Sequence, residues 1–323
     1  MRLSFHAIAD GPDGAAWTAL TRQLWPAYHR WYESQGLLNR PTYRDCRVAL
    51  HEHMPEFVPE WERLVGLAGG GDGVARFLSL WNPPAYVSAC SQAVWPGSEP
   101  LLVRNYDYTS LAFDGVCLHT QWGGRTVMGT SDCLIGLVDG INDAGLALSL
   151  TFGGRRDVGQ GFGVPLILRY VLQTCVNTAQ AGKALRRIPS HMAYNVTVVD
   201  ARRQVLTAQL TPGQATRITS AAVATNHQPG GPVADRAQMT ATVERERYLL
   251  SRLMLHDDSA DKFIGAFLRP PLYSLAFERG FGTLFTAAYW PRRRTMSYHW
   301  PGYAWPQSLT DFVPAVRDIV YPV

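Results

Sequence analysis

Between about residues 85 and 152 the sequence breaks into short runs rich in β-branched and aromatic residues. They are AYVSACSQAVW, PLLVRNYDY, GVCLHTQW, RTVMGTS, LIGLVDGIND and GLALSLTFGG, each closed by turn residues. With no helical pattern between them, these runs cannot alternate as βαβ units, so the stretch predicts a multistranded, largely antiparallel sheet. Two helices follow, about Val164 to Val176 and, behind a Thr178 cap, about Ala179 to Arg187. Strands return as YNVTVVDA, QVLTAQLT and SAAVATNH. A helix near Thr242 to Leu255 and a shorter helical piece come next, and the chain closes on TLFTAAYW and RTMSYHW. Strands and helices in separated blocks predict an α+β layered domain with two sheets.

The first 65 or so residues read differently. Trp17, Leu20, Leu24, Tyr28 and Trp31 recur at spacings of three and four after an Asp13 cap, which predicts a helix that Pro26 should kink. Further helices are expected from about Tyr43 to Met54 and Glu56 to Leu67. The following GLAGGGDG is a helix stop and a turn, because no Gly-Lys-Ser/Thr follows to make a phosphate loop.

Composition excludes several classes. The net charge of +4 is spread along the chain, and its one dense run, Arg292 to Arg294 after Pro291, looks like a hairpin tip and offers poor support for a basic interaction module. MRLSFHAIADGPDG lacks a basic segment followed by an apolar one, and no stretch approaches the roughly 18 apolar residues of a membrane span. The expectation is a soluble cytoplasmic protein with neither a nucleic-acid nor a membrane partner. Five cysteines (Cys46, Cys90, Cys117, Cys133 and Cys175) without CxxC spacing indicate neither disulfides nor zinc. His51 and His53 lack a third ligand, so no metal and no cofactor are expected.

Cys90 stands out by its surroundings. It opens one expected strand, and Arg104-Asn105-Tyr106-Asp107 ends the next, so a hairpin would set the arginine and the aspartate beside the cysteine. The attacking form of a cysteine is the thiolate, which a neighbouring cation helps to form. If Cys90 were a chain start, its α-amino group, with an ordinary pKa of about 7.7 to 8, could take the thiol proton and return it to a leaving amine. Asp107 would then hold that amine. The competing reading is an ordinary Arg/Asp pair in a hairpin.

CSQAVW and LLVRNYDY, followed in order by DGINDAGLALSLT, GVPLILRYVLQTC, YNVTVVDA, VATNH and TVERERYLL, resemble the acyl-coenzyme A:6-aminopenicillanic acid acyltransferase family over about residues 60 to 310. Choloylglycine hydrolases and N-acylethanolamine amidases are more distantly similar. The resemblance implies an N-terminal nucleophile hydrolase fold, a four-layer αββα sandwich with antiparallel sheets and an N-terminal helical segment. It also implies an inactive precursor that cuts itself between Ala89 and Cys90. Residues 1–89 would remain bound as an α chain, with 90–323 as the catalytic β chain.

By the same matching Cys90 is the nucleophile and Arg104 and Asp107 assist it. Asn226 would donate its side-chain amide to the oxyanion, and Asn142 would contribute through its backbone N–H, although Asn142 is equally a turn former. Arg245 corresponds to a late supporting arginine, with Arg247 as the rival. The substrate would be a small linear acyl amide, opened through a thioester on Cys90. Hydrolysis and acyl transfer, an acyl-coenzyme A donor and a homo-oligomer are left open. The alternative is an uncleaved, catalytically silent relative that binds a small acylated ligand.

Overall fold

A computed structural model describes residues 1–87, 89–228, 240–255 and 258–322. Its strands fall into two sheets. The larger holds nine strands: β1 (Arg2–Asp10), β4 (Val116–Thr120), β5 (Val127–Asp132), β6 (Gly136–Asn142), β7 (Leu146–Phe152), β8 (Tyr194–Asp200), β9 (Val205–Leu210), β10 (Arg217–Thr219) and β15 (Ala315–Val320). They are arranged in the order β10-β9-β8-β7-β6-β5-β4-β1-β15. The smaller has six strands: β2 (Ala89–Trp95), β3 (Leu101–Tyr108), β11 (Val223–Ala224), β12 (Gly282–Trp290), β13 (Thr295–Trp300) and β14 (Tyr303–Ser308). Their order is β11-β2-β3-β12-β13-β14. Pairing is antiparallel except between β1 and β4.

The sheets lie face to face, with β2 and β3 against β7 and β8. Helices α5 (Val164–Thr174) and α6 (Thr178–Arg187) cover the outside of the nine-stranded sheet. Helices α7 (Thr242–Met254) and α8 (Ala260–Phe267) cover the outside of the six-stranded one, completing four layers, αββα. This burial explains the sequence texture. Every residue of β6, β7 and β8 is buried, because each strand has a sheet on one side and helices on the other.

The N-terminal helices α1 (Ala15–Glu33), α2 (Tyr43–His53), α3 (Val58–Leu67) and α4 (Asp72–Leu78) form a further group, with α4 packed against α2 and α3. Tyr170 of α5 donates to Glu56, which follows α2, at 2.6 Å. Thus α5 is covered on both sides, consistent with its apolar run VPLIL.

The structure departs from the sequence expectation at the start of the chain, which is not all helical. β1 lies within the nine-stranded sheet between β4 and β15. Its period is two, with Phe5 and Ala7 buried between less buried neighbours. The segment 1–89 is therefore woven into the domain. Pro26 lies inside α1, which runs on to Glu33 as a single helix; the proline is exposed, so water can satisfy the carbonyl that lost its N–H partner. Asn177, not Thr178, caps α6, accepting from Gln180 N at 3.0 Å. The expected strand 85–95 is formed from Ala89 onward, and Ser88 lies outside the described residues. Arg292 to Arg294 do form the turn between β12 and β13, where Arg293 pairs with Glu99 and lies over the Trp290 ring.

Candidate active site

The hairpin β2–β3 sets the register from which the site is built: Ala89 faces Asp107, Cys90 faces Tyr106 and Gln92 faces Arg104. Side chains alternate along a strand, so Cys90, Gln92, Arg104 and Tyr106 share one face while Asn105 and Asp107 share the other. The face bearing Cys90 is turned to the space between the sheets, where Gln92 donates to Thr197 Oγ1 at 2.8 Å and accepts from Ser149 at 2.6 Å. The face bearing Asn105 is turned to the helices, and Asn105 donates there to the carbonyls of Phe267 and Leu272 at 2.9 and 3.0 Å.

Cys90 and Arg104 are both 0% exposed. Arg104 donates through Nη2 to Cys90 Sγ at 3.1 Å, through Nη1 to Asp139 Oδ2 at 2.6 Å and through Nε to the Leu150 carbonyl at 2.9 Å. Burial opposes the guanidinium charge, but the negative charges facing it from Cys90 and Asp139 outweigh that cost and raise its pKa. A fixed cation at hydrogen-bond distance favours a thiolate at Cys90. Asp139 is itself held by Tyr289 Oη at 2.6 Å and Thr130 N at 3.3 Å. The sequence carries a signal for Asp139: a carboxylate inside LIGLVDGIND, an otherwise apolar strand, must have a buried partner.

Asp107 is not brought to the sulfur. Its carboxylate accepts from Arg245 Nη1 and, at 2.6 Å, from Thr283 Oγ1, all on the helical side of β3. Arg245 also donates to the Pro271 carbonyl at 3.1 Å. Arg245 is buried and Arg247 exposed, so the geometry gives this position to Arg245. Together Arg245, Asp107 and Thr283 fix the end of β3 directly across from Ala89.

Asn226 does reach Cys90. Its Oδ1 accepts from Cys90 N at 2.7 Å. A backbone N–H can only donate, so the amide oxygen must face it and Nδ2 must turn away. Asn226 is 4% exposed, and its Nδ2 is buried without a hydrogen-bond partner. Such an orphan donor is costly unless something else occupies its hydrogen bond. The loop bearing it is fixed on both sides, since Asn195 Nδ2 donates to the carbonyls of Thr225 and His227, each at 2.9 Å. His227 turns its ring to Thr242 Oγ1 at 2.9 Å and to Glu246 at 3.2 Å, so it braces the loop against α7.

Asn142 lies elsewhere. Its Nδ2 donates to the carbonyls of Leu172 and Cys175, both at 2.8 Å, and its Oδ1 accepts from Ala144 N and Leu146 N. It ties the end of α5 to the β6–β7 turn, at the opposite end of β7 from the Leu150 to Thr151 segment that meets Arg104 and the Asn226 loop. The other four cysteines are buried and free, and burial pushes the thiols of Cys117 and Cys46 up to about 12 and about 11. Among the described residues no group of three His, Cys, Asp or Glu side chains could hold a metal ion, and no helix is long and apolar enough to cross a membrane.

Residues 94–305 match the model of the family described as acyl-coenzyme A:6-aminopenicillanic acid acyl-transferase. No curated protein matches the chain. Solved structures that are similar include penicillin V acylase from Agrobacterium tumefaciens, at 13% identity and a TM-score of 0.48, covering 71% of this chain and 90% of that one. A mutant of conjugated bile acid hydrolase from Clostridium perfringens is 13% identical with a TM-score of 0.46, covering 72% and 97%. The Caenorhabditis elegans ortholog of N-acylethanolamine-hydrolyzing acid amidase is 14% identical with a TM-score of 0.46, covering 63% and 93%.

Proposed function

Since the chain belongs to the acyl-coenzyme A:6-aminopenicillanic acid acyl-transferase family, we propose that it is a self-processing cysteine amidohydrolase or acyltransferase that opens a linear amide through a thioester on Cys90. The observation that carries the proposal is the amide of Asn226, which accepts from Cys90 N on one side and keeps an unpartnered buried donor on the other.

In the precursor the Cys90 sulfur attacks the Ala89 carbonyl. The C–N bond breaks as the C–S bond forms, and the thiol proton ends on the Cys90 nitrogen. Water then cleaves the thioester, leaving a carboxylate at Ala89 and a free thiol and α-amine at Cys90. Arg104 stabilises the thiolate, and Asp139 keeps Arg104 in place. Arg245 and Asp107 hold the strand end across from the scissile bond.

In turnover the α-amine, still facing Asn226 Oδ1, takes the thiol proton and the thiolate attacks the substrate carbonyl. Negative charge then develops on the carbonyl oxygen, and Asn226 Nδ2 donates to it. Expulsion of the amine takes up the proton. The acyl group passes from the sulfur to water or to a second amine. The α chain, anchored through β1, stays in the nine-stranded sheet.

Intact-mass analysis of the purified protein tests this. The wild type should give two fragments dividing after Ala89, and Cys90→Ala should give one. A single full-length mass for both would leave the silent binding protein as the better account.

A further inference from the structure

Along β3 the face that carries Arg104 and Tyr106 continues to Tyr108, whose ring stacks on Tyr106 at 5.5 Å between centroids. Same-face neighbours on a strand are about 7 Å apart, so Tyr108 is one step beyond the Tyr106 that faces Cys90. It lies past the start of β2, on the side from which a substrate would approach a new chain start. There Tyr108 lines a cavity of about 310 Å³ together with Tyr28, Trp31, Tyr86, Asp114 and Asp132. That volume is within the range of small-ligand pockets.

The lining has a definite chemistry. Trp31 meets both Tyr28 and Tyr86 edge to face, at 6.3 and 6.2 Å. Asp114 and Asp132 both reach the Tyr28 hydroxyl, at 2.6 and 3.2 Å; its one proton serves one of them, and longer contacts come from Ser131 Oγ to Asp114 at 3.4 Å and from Cys133 Sγ to Asp132 at 3.5 Å. Among the described residues no Arg, Lys or His forms an ion pair with either carboxylate. Burial, reinforced by the charge of Asp132, pushes Asp114 up to about 8, and burial raises Asp132 to about 6. Both carboxyls are thus held above the usual carboxylate range, so at neutral pH the pair carries less than its full double negative charge.

Aromatic rings around a carboxylate pair that no cation neutralises complement an alkylammonium group: the rings and the negative charge attract the cation, and the carboxylate oxygens accept its N–H bonds. We propose that this cavity binds a primary ammonium group of the substrate, so that the amide attacked by Cys90 carries a protonated amine a few bonds from its carbonyl. The substrate assignment rests on Cys90 as nucleophile; the ammonium site does not.

Binding tests the site directly. Phenethylammonium and 2-phenylethanol are titrated into the full chain, with tryptophan fluorescence as the readout. The ammonium compound should bind at least about tenfold more tightly, a modest factor for a cation between aromatic rings and a carboxylate. The preference should vanish in Asp114→Asn/Asp132→Asn. Equal affinities, no binding of either compound, or a preference that survives the double substitution would overturn the proposal. Running the same titration on Cys90→Ala separates the two readings: ammonium binding without self-cleavage of the wild type would sink the nucleophile and spare the site. In turnover the processed enzyme should favour 4-aminobutyryl anilide over the isosteric pentanoyl anilide by about tenfold in kcat/KM, and the reverse order would overturn the substrate assignment.

Discussion

Arg104 stands between Cys90 and Asp139, 3.1 Å from the sulfur and 2.6 Å from the carboxylate, and all three side chains are fully buried. One guanidinium therefore holds both the cysteine proposed as nucleophile and a buried carboxylate. A further buried pair, Arg245 with Asp107, sits on the other side of the same strand. β3 is thus clamped by an ion pair on each face, and Cys90 is positioned by the strand so clamped.

Loss of Arg104 should separate these two roles. Arg104→Ala leaves Asp139 buried without its cation and should lower stability by about 3–5 kcal/mol, read by urea unfolding. Arg104→Lys keeps the charge but cannot reach Sγ, Asp139 and the Leu150 carbonyl at once. It should fold, yet its Cys90 should react more slowly with iodoacetamide than the wild-type cysteine.

Asn226→Asp retains an acceptor for the Cys90 nitrogen and removes the unpartnered donor. If Nδ2 meets the oxyanion, kcat on an acyl amide should fall about 10²- to 10³-fold with KM little changed. Unchanged kcat would remove Asn226 from that role.

The hairpin that joins Cys90 to Arg104 was legible because strand runs, turn residues and alternation all agreed over residues 89 to 108. The same alternation contained a warning about Asp107. Positions 104 and 107 differ in parity, so a regular strand cannot point both at one cysteine. Asp139 and Asn226 were harder. Their partners lie on strands remote in sequence, and nothing local records which buried groups will meet. The strand β1 was missed because its alternating run is short and a longer helical periodicity follows it. The acid pair Asp114 and Asp132 sits in turn-rich sequence, where aspartate is ordinary.

If the chain cuts itself after Ala89 as proposed, the two fragments should not separate. β1 pairs with β4 on one side and β15 on the other, both C-terminal to the proposed cut, and Trp17, N-terminal to it, donates to the Leu134 carbonyl at 2.9 Å. Size-exclusion chromatography in native buffer should return both fragments in one peak, resolved only in denaturant.

His299 should make the protein less stable in acid. Burial lowers its pKa from 6.5 to about 4, so between those values the unfolded chain binds a proton that the folded chain refuses. Stability from this group is complete above pH 6.5 and is lost as pH falls toward 4. His299→Gln should flatten the slope of unfolding free energy over that window.

The acid pair should act in the opposite direction. Asp114 has its pKa raised from 3.8 to about 8 in the folded protein, so over that window the folded state holds a proton that the unfolded state has released. More protons bound to the folded state mean that stability falls as pH rises. Asp114→Asn cannot ionise and removes the penalty. Relative to wild type it should therefore be more stable at pH 8 than at pH 4, as measured by urea midpoints at both values. A variant whose difference from wild type is the same at the two pH values would show that Asp114 ionises normally, and the reduced charge assigned to the acid pair would have to be abandoned.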